Sequence, residues 1–499
     1  MSTSSDVLVI GAGPAGMTLA CDLLRRGVAV RIVSASSEGF QGSRAKGVQP
    51  RTQEVFDDLG VLDALGARST TYPRLGVHLG PLTLRRTMIP LHEATEAVPH
   101  ADTLLIGQYD TDAALRRRIA ELGGEVEFGT RLTDLEPSAD GVRATLEGPD
   151  GTTSAHAGYL IGADGGASTV RTLLGIPFDG TTDESDRMIV ADLVLDGLSR
   201  DLWHVWPGLG GRFMALCPMP GGEVFQLMLK LRAGEEADVT TDGLTAKIRS
   251  FSGARSVTVS RVRWSSVWRP NTRLARRYRE GRILLVGDAA HVHPPTGAQG
   301  LNTGVQDAYN LGWKLGQTLA GAPDSLLDTY EDERQPVAAR VLGLASEIYA
   351  STRNRPTAAM TRGDEERQLS LGYRGGPLAP SVAEDATGVR PGDRAPNIDW
   401  TDPESGPQRL IDHLRGPHFT LLALGEEAIV SAADLPWPRS GAPLRTVALP
   451  SSEAARAARA YGTRTPAHIL IRPDGYVAYT ANGRWAESAA RFGALALPA

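Results

Sequence analysis

Asp6-Val-Leu-Val-Ile10-Gly11-Ala-Gly13-Pro14-Ala15-Gly16 is the stretch on which the reading of this chain turns. A short apolar run stops at a glycine turn, the pattern of a strand buried within a parallel sheet. Pro14 opens a helix in which Ala20, Leu23 and Leu24 share a face, and Gly27 closes it. Val28 to Val33 then predicts the second strand of a βαβ unit. Strand, turn and helix are the context a Gly-x-Gly-x-x-Gly phosphate fingerprint requires. Gly11 permits the tight turn, Gly13 lets the backbone approach a pyrophosphate, and Gly16 lets helix and strand pack closely. The helix start, with Pro14 and Ala15 in its first turn, supplies N–H donors and partial positive charge. The expected ligand is a dinucleotide.

Working outward, the carboxylate that normally meets the adenosine ribose roughly 20 residues beyond the glycines is missing. Ser34 closes the run Arg31-Ile-Val33-Ser34 in its place. A serine makes one neutral hydrogen bond and forgoes a charge-assisted one worth about 1.5–3 kcal/mol. Glu38 is the nearest substitute carboxylate. Further on, Gly162-Ala-Asp164-Gly165 again sets a carboxylate at a strand end, with Arg171 beyond. Alone, that motif equals an ordinary capped strand–helix turn. Gly287-Asp288 follows the strand Ile283 to Val286 and runs through His291-Val-His293-Pro294-Pro295-Thr-Gly297-Ala-Gln-Gly300-Leu301-Asn302 into a helix predicted from about Thr303 to Ala320. A carboxylate there suits a polyol chain, and a helix N-terminus suits the electron-rich edge of a reduced flavin. His291 and His293 lack metal-ligand spacing and a nearby third ligand, so both read as structural and no metal site is expected.

The rest of the chain divides around these motifs. Residues 1–184 and 270–350 form one discontinuous nucleotide-binding unit, in which Asp110 or Thr111 caps a helix bearing Leu115, Ile119 and Leu122. Residues 185–269 read as an inserted antiparallel sheet, and Trp203, Trp206, Phe213 and Phe225 are candidates for an aromatic pocket wall. Residues 351–392 read as a linker or irregular segment. Residues 393–499 bring further strands around Phe419 to Leu424, Arg445 to Leu449 and His468 to Ile471, with a hairpin turn at Pro473-Asp474-Gly475. Lys+Arg 52 against Asp+Glu 58 leaves a net charge of −6 over 499 residues, and 41% are hydrophobic. That balance excludes a disordered chain and argues against a basic nucleic-acid binder. No run approaches the roughly 18 apolar residues of a membrane span, and the start lacks a secretory n-region, so a cytoplasmic protein without a membrane partner is expected. Two cysteines cannot build a disulfide framework.

Taken together, the motifs resemble the flavin-dependent aromatic hydroxylases, single-component monooxygenases with a p-hydroxybenzoate-hydroxylase-like fold. The run GDAAHVHPPTGAQGLNTGVQDAYNLGWKLG from Gly287 is the most specific match. Ser43-Arg44-Ala-Lys-Gly47 with Pro50-Arg51-Thr52, Gln108, and Tyr330 to Pro336 also resemble family segments, over roughly residues 5–345. The last hundred or so residues resemble the redox-inactive thioredoxin-like domain of longer members. Lacking Cys-x-x-Cys, it can do no dithiol chemistry and has a structural or assembly role.

The resemblance implies an α/β fold: a Rossmann-like FAD-binding domain, an inserted antiparallel-sheet substrate domain and a thioredoxin-like C-terminal domain. It implies that Asp288 holds the flavin ribityl chain, with Gln108 beside it. Backbone N–H groups of Leu301 and Asn302, after Gly300, face the N1/O2 edge. Arg44 contacts the cofactor, Asp164 ties the flavin to its surroundings, and the Pro295 carbonyl lies near the reactive face. With one fingerprint in the chain, NADPH or NADH acts as an external hydride donor. The implied activity is transfer of one oxygen of O₂, through a C4a-hydroperoxyflavin, to a phenol or a polyketide-derived polycyclic aromatic. The resemblance leaves a homodimer open as the assembly. Ser34, Ala35 and Asp110 depart from the family's ribose acid and arginines, which predicts a looser hold on the adenosine end. Two alternatives stay open: Baeyer–Villiger insertion with the same cofactor, and a catalytically silent scaffold. The sequence names no general base for the phenol.

Overall fold

The computed structural model describes residues 3–208, 212–293, 299–354, 365–379 and 388–498. The strand Thr3–Ile10 lies inside an eight-stranded sheet, parallel to Val30–Val33 on one side and to Gly151–Gly162 on the other. Ile283–Leu285 and Val126–Glu127 extend the parallel part outward. Val7, Leu8 and Val9 are fully buried, because helices cover both faces of a parallel sheet and its inner strands must be apolar throughout. The helices Pro14–Leu24, Gln108–Glu121 and Gly300–Leu319 pack together over it. The middle one begins earlier than Asp110 or Thr111 predicts. Gly107, in extended backbone, precedes Gln108, so Gln108 enters the first turn.

The second sheet runs Thr258–Trp268, Met188–Asp196, Val224–Lys230, Phe213–Pro218, Leu202–Pro207, Arg74–Leu79 and Leu82–Arg86. It therefore recruits two strands from outside residues 185–269. Arg74–Leu79 pairs in parallel with Leu202–Pro207, occupying what would otherwise be an open edge. Side chains alternate between its faces. Ile189, Ala191, Trp206, Met214, Leu216, Phe225 and Leu227 point one way and pack under Leu244 and Ile248 of the helix Thr241–Ser252. Asp192, Trp203, Cys217, Gln226 and Met228 belong to the opposite face.

In the last domain Phe419–Leu424 pairs in parallel with Leu444–Leu449 and antiparallel with Ala467–Ile471, which pairs with Val477–Ala481. The arrangement is thioredoxin-like. Trp313 of the Gly300–Leu319 helix is fully buried in this domain's core, edge-on to Phe419 at 5.6 Å. In return the hairpin after Ala467–Ile471 reaches into the first domain. Arg472 donates to Glu333 at 2.6 and 2.9 Å, and Lys314 and Asn310 donate to the same carboxylate at 2.8 Å each. Burial opposes the charge, but Arg472 and then Lys314 hold the Glu333 pKa down at about 2. The segment read as a linker is partly helical and partly packed. The helix Asp328–Asn354 runs into it, and Leu371 and Tyr373 bury against Val337, Val341 and Tyr476. Among the described residues no helix is long and apolar enough to cross a membrane.

Removing Arg472 leaves Glu333 buried beside the smaller share of its positive partners. The Arg472→Met variant should unfold at lower denaturant concentration, by about 3–5 kcal/mol, read by chemical denaturation followed with tryptophan fluorescence.

Candidate active site

Gly11 has φ +110°, and a methyl group there would lie 2.3 Å from the Ala163 carbonyl oxygen. A methyl at Gly16 would lie 2.0 Å from the Gly11 oxygen. Both glycines are thus required by the packing of turn, helix and neighbouring strand. Gly13 differs. It is the extended residue before Pro14, and a methyl built on it meets nothing within 4 Å. Its open side is the place where a pyrophosphate can approach the helix start.

A second helix start converges on the same place. A methyl on Gly287, which has φ +59°, would lie 3.0 Å from Ala15 Cβ and 3.5 Å from Gly304 Cα. Small residues at all three positions let the Pro14–Leu24 and Gly300–Leu319 helices meet across the Gly287 turn. First-turn N–H groups such as those of Gly300 and Leu301 have no intrahelical acceptor. Asp288 is half-buried, and its carboxylate makes no hydrogen bond to a described residue. Asn302 contributes more than a backbone group. Its side chain accepts from Gln49 N–H and donates to the Gly47 carbonyl, each at 2.9 Å, pinning that segment to the helix start.

The other expected residues hold this frame. Asp164 accepts from Ser168 Oγ at 2.5 Å and from the N–H groups of Thr169 and Val170 at 2.7 and 3.1 Å. Arg171 then donates to the carbonyls of Gly166 and Ala289 at 2.8 Å, joining the Asp164 turn to the Gly287 turn. His291 is buried with Nε2 2.6 Å from Asp307, which also takes Arg334 at 2.7 Å. Ser34 lies level with Gly11, whose N–H donates to the Val33 carbonyl at 2.8 Å. Its hydroxyl accepts from Ser36 N–H at 3.3 Å and keeps its own proton to donate. Arg44 is exposed, with no hydrogen bond to a described residue. Gln108 is half-buried, and its amide lies 3.5 Å from the Asp112 carboxylate. Burial pushes the Asp112 carboxyl up to about 7, with Gln108 opposing. Pro295 lies outside the described residues.

Facing this frame is the second sheet's other side. In the pairing register Trp264, Asp192, Gln226 and Cys217 stand side by side across four strands. Asp192 and Gln226 grip Ser43. Asp192 accepts from its N–H at 2.6 Å and from its hydroxyl, which in turn accepts from Gln226 Nε2 at 2.6 Å. Trp264 packs on Gly42 and on the Phe40 ring, edge-on at 5.4 Å. Lys46 then rises to the sheet, its ammonium 4.1 Å from the centre of the Trp203 ring. Of the four aromatic candidates, Trp203 and Phe213 belong to this side, whereas Trp206 and Phe225 fill the far core. Sequence reasoning missed Asp192, Gln226, Cys217 and Lys46. Lys46 alone carried a signal, being inside the Ser43 to Gly47 motif.

Free space above Gly13, two convergent helix starts and an uncommitted Asp288 fit a flavin dinucleotide. A family model described as FAD binding domain matches residues 4–345, and one for the C-terminal part of aromatic-ring hydroxylases matches residues 389–495. The chain belongs to this family of FAD-binding aromatic-ring hydroxylases and is a flavoprotein monooxygenase. It is 38% identical over 486 residues to a flavin-dependent monooxygenase of Mycobacteroides abscessus, covering 96% of this chain and 98% of that protein. It is 34% identical to 6-methylpretetramide 4-monooxygenase of Streptomyces rimosus, over 95% of this chain and 90% of that one. Among solved structures, aklavinone-11 hydroxylase in complex with FAD and aklavinone superposes with a TM-score of 0.83 at 27% identity, over 99% of this chain and 100% of that one.

Two outcomes follow from the geometry. Gly16→Ala must push the helix off the Gly11 turn, so the purified variant should lack flavin absorbance and take up no added FAD. Asp112 has a folded-state pKa raised well above the usual carboxyl value, so the folded state holds a proton that the unfolded state releases between roughly pH 4 and 7. Stability falls across that window and stays lower above it. Asp112→Asn should therefore raise the melting temperature at about pH 8 and change it little near pH 4, as scanning calorimetry at the two pH values will show.

Proposed function

We propose that this chain hydroxylates a phenolic or polyketide-derived polycyclic aromatic, with FAD as bound cofactor, NADPH or NADH as external hydride donor and O₂ as oxygen source. The observation that carries this reading is the sheet face bearing Trp203, Phe213 and Met228, set against the segment that Asn302 pins to the flavin-side helix start. Flat aromatic walls suit a flat aromatic ligand. The relatives named for 6-methylpretetramide and for aklavinone support a substrate of that class.

In this reading the flavin supplies two-electron chemistry, and the chain supplies position and exclusion of water. Gly11, Gly13 and Gly16, with Pro14 and Ala15, seat the pyrophosphate; Ser34 meets the adenosine ribose; Asp288 and Gln108 take the ribityl hydroxyls. Gly300, Leu301 and Asn302 present the helix start to the negative edge of the reduced ring. Arg44 closes over the cofactor from the exposed side, Asp164 keeps its turn in place, and Gly287 lets the two helix starts meet. Pro295 is assigned the reactive face on family resemblance. Both cysteines are free and buried, which suits the reducing cytoplasm.

The test combines a spectrum with a turnover assay. The purified protein, after addition of FAD, should show bound-flavin absorbance. Aerobic NADPH oxidation should rise severalfold on adding a hydroxynaphthoquinone or a simple phenol, with one oxygen atom added and the carbon skeleton intact by mass spectrometry. Absence of flavin uptake overturns the reading. A ring-expanded or cleaved product replaces hydroxylation with Baeyer–Villiger insertion.

A further inference from the structure

Lys46 is the buried charge of the Ser43 to Gly47 segment, and no ion pair completes it among the described residues. Its side chain is buried, Nζ makes no hydrogen bond to a described oxygen or nitrogen, and its polar neighbour at hydrogen-bond range is the neutral Cys217 thiol. Its backbone is well held: the carbonyl accepts from Ile106 N–H at 3.1 Å and from the Tyr72 hydroxyl at 3.0 Å. The next residue, Gly47, is fixed to the flavin-side helix start by Asn302. The ammonium is thus placed between that helix start and the aromatic sheet face, over the Trp203 ring.

We propose that Lys46 is the catalytic group that takes up the hydroxyl proton of a phenolic or enolic substrate and pairs with the oxyanion so formed. The proposal rests on the hydroxylase reading above. In the step, the neutral amine form of Lys46 accepts the proton on its lone pair. The substrate O–H bond breaks, an N–H bond forms at Nζ to give the ammonium, and the O–H electron pair stays on oxygen. Charge then flows into the ring and raises the electron density of its ortho and para carbons, where an electrophilic oxygen attacks. The proton returns to the oxygen as the product leaves.

The surroundings leave few other partners for the charge. Asp192, from the strand Met188–Asp196, is already engaged by the two donors of Ser43. Cys217, from Phe213–Pro218, is a buried thiol whose own pKa is pushed up by that burial. Arg200 lies near Cys217 and donates to the carbonyls of Met219 and Val224; Arg263 acts on Asp192 and on Tyr109, and Tyr72 is turned to the Lys46 carbonyl. Burial lowers the Lys46 pKa, opposed by Cys217 and then Asp192, so the neutral amine is more accessible here than in an exposed lysine. The Trp203 face attracts the cation, but it supplies no counter-charge. A buried ammonium in that state costs stability until an anionic oxygen meets it. A lysine kept only to fill space would be better replaced by methionine.

That contrast sets the experiment. The FAD-loaded wild-type protein and Lys46→Met are titrated with juglone, a hydroxynaphthoquinone whose phenolate absorbs to the red of the flavin bands, across a pH series. Wild type should lower the apparent pKa of bound juglone by about one unit or more, a tenfold or greater shift toward phenolate, and Lys46→Met should abolish the shift. The methionine variant should melt at the same or a higher temperature, so that a lost shift reports the missing amine and not a loosened fold. Juglone that fails to bind wild type, binds only as the neutral phenol, or ionises equally in both proteins overturns the assignment. Loss of flavin uptake in wild type itself overturns the flavoenzyme reading instead, so the two failures are distinguishable.

Discussion

Asp307 lies fully buried in the Gly300–Leu319 helix and receives His291 Nε2, Arg334 Nε and the Gly287 N–H on its two oxygens. Burial disfavours its charge, and Arg334 and then His291 overcome that, holding the pKa below the ordinary carboxyl value. Each of the three donors lies on a different piece of the site: the Gly287 turn, the strand that leaves it, and the following helix. A carboxylate in this position cannot lose one donor without exposing the others to an uncompensated charge. The Gly287 turn is therefore held by electrostatics beneath it as well as by the close packing of Gly287, Ala15 and Gly304 above it.

The same helix carries that constraint to the far end of the molecule. Three residues past Asp307, Asn310 donates to Glu333, and Trp313 enters the core of the thioredoxin-like domain. Tyr309 donates to the Pro473 carbonyl at 3.0 Å, and Arg51 to that of Asp474 at 2.6 Å. Arg394 and Glu54 add a buried ion pair across the boundary. The seam is thus built of ionised groups that water would claim if the domains parted. A domain without dithiol chemistry is retained because the Gly300–Leu319 helix has no finished core without it.

Much of this was legible in the sequence because it is local. Gly11 to Gly16, Gly287-Asp288 and the Pro473-Asp474-Gly475 hairpin each declare their geometry within a few residues, where backbone sterics decide. That the Gly11 and Gly287 turns belong to one FAD-binding domain was legible too, through the family likeness of the run from Gly287 to Asn302. The substrate sheet was less so. Its alternation was visible, but not which alternate set faced the Ser43 to Gly47 segment, and two of its strands come from residues 74–86. Facing depends on which strands become neighbours, a property of pairing register. Trp203 and Trp206 are three residues apart and fall on opposite sides. The Asp192, Gln226 and Cys217 row has no sequence signature at all, since its members are brought together by the ladder alone.

The buried ionisable groups divide by whether the fold completes them. Asp307, Glu333 and Arg472 are surrounded by opposite charge and hydrogen bonds, and their pKa shifts favour the charged forms despite desolvation. Lys46 and Asp112 shift toward their neutral forms, because their neighbours do not offset burial, and Lys314 does so too, to about 8, although Glu333 pairs with it. The first set lies along the helix and the domain seam. Of the second, Lys314 belongs to the seam, whereas Asp112 lies behind Gln108 and Lys46 beneath the aromatic sheet. A protein gains nothing in stability from an incomplete charge, so such groups persist where a ligand completes them or where a proton must move. By that criterion Asp112 and Lys46, which no ion pair completes among the described residues, are the candidates for chemistry, and the paired charges along the helix and the seam are architecture.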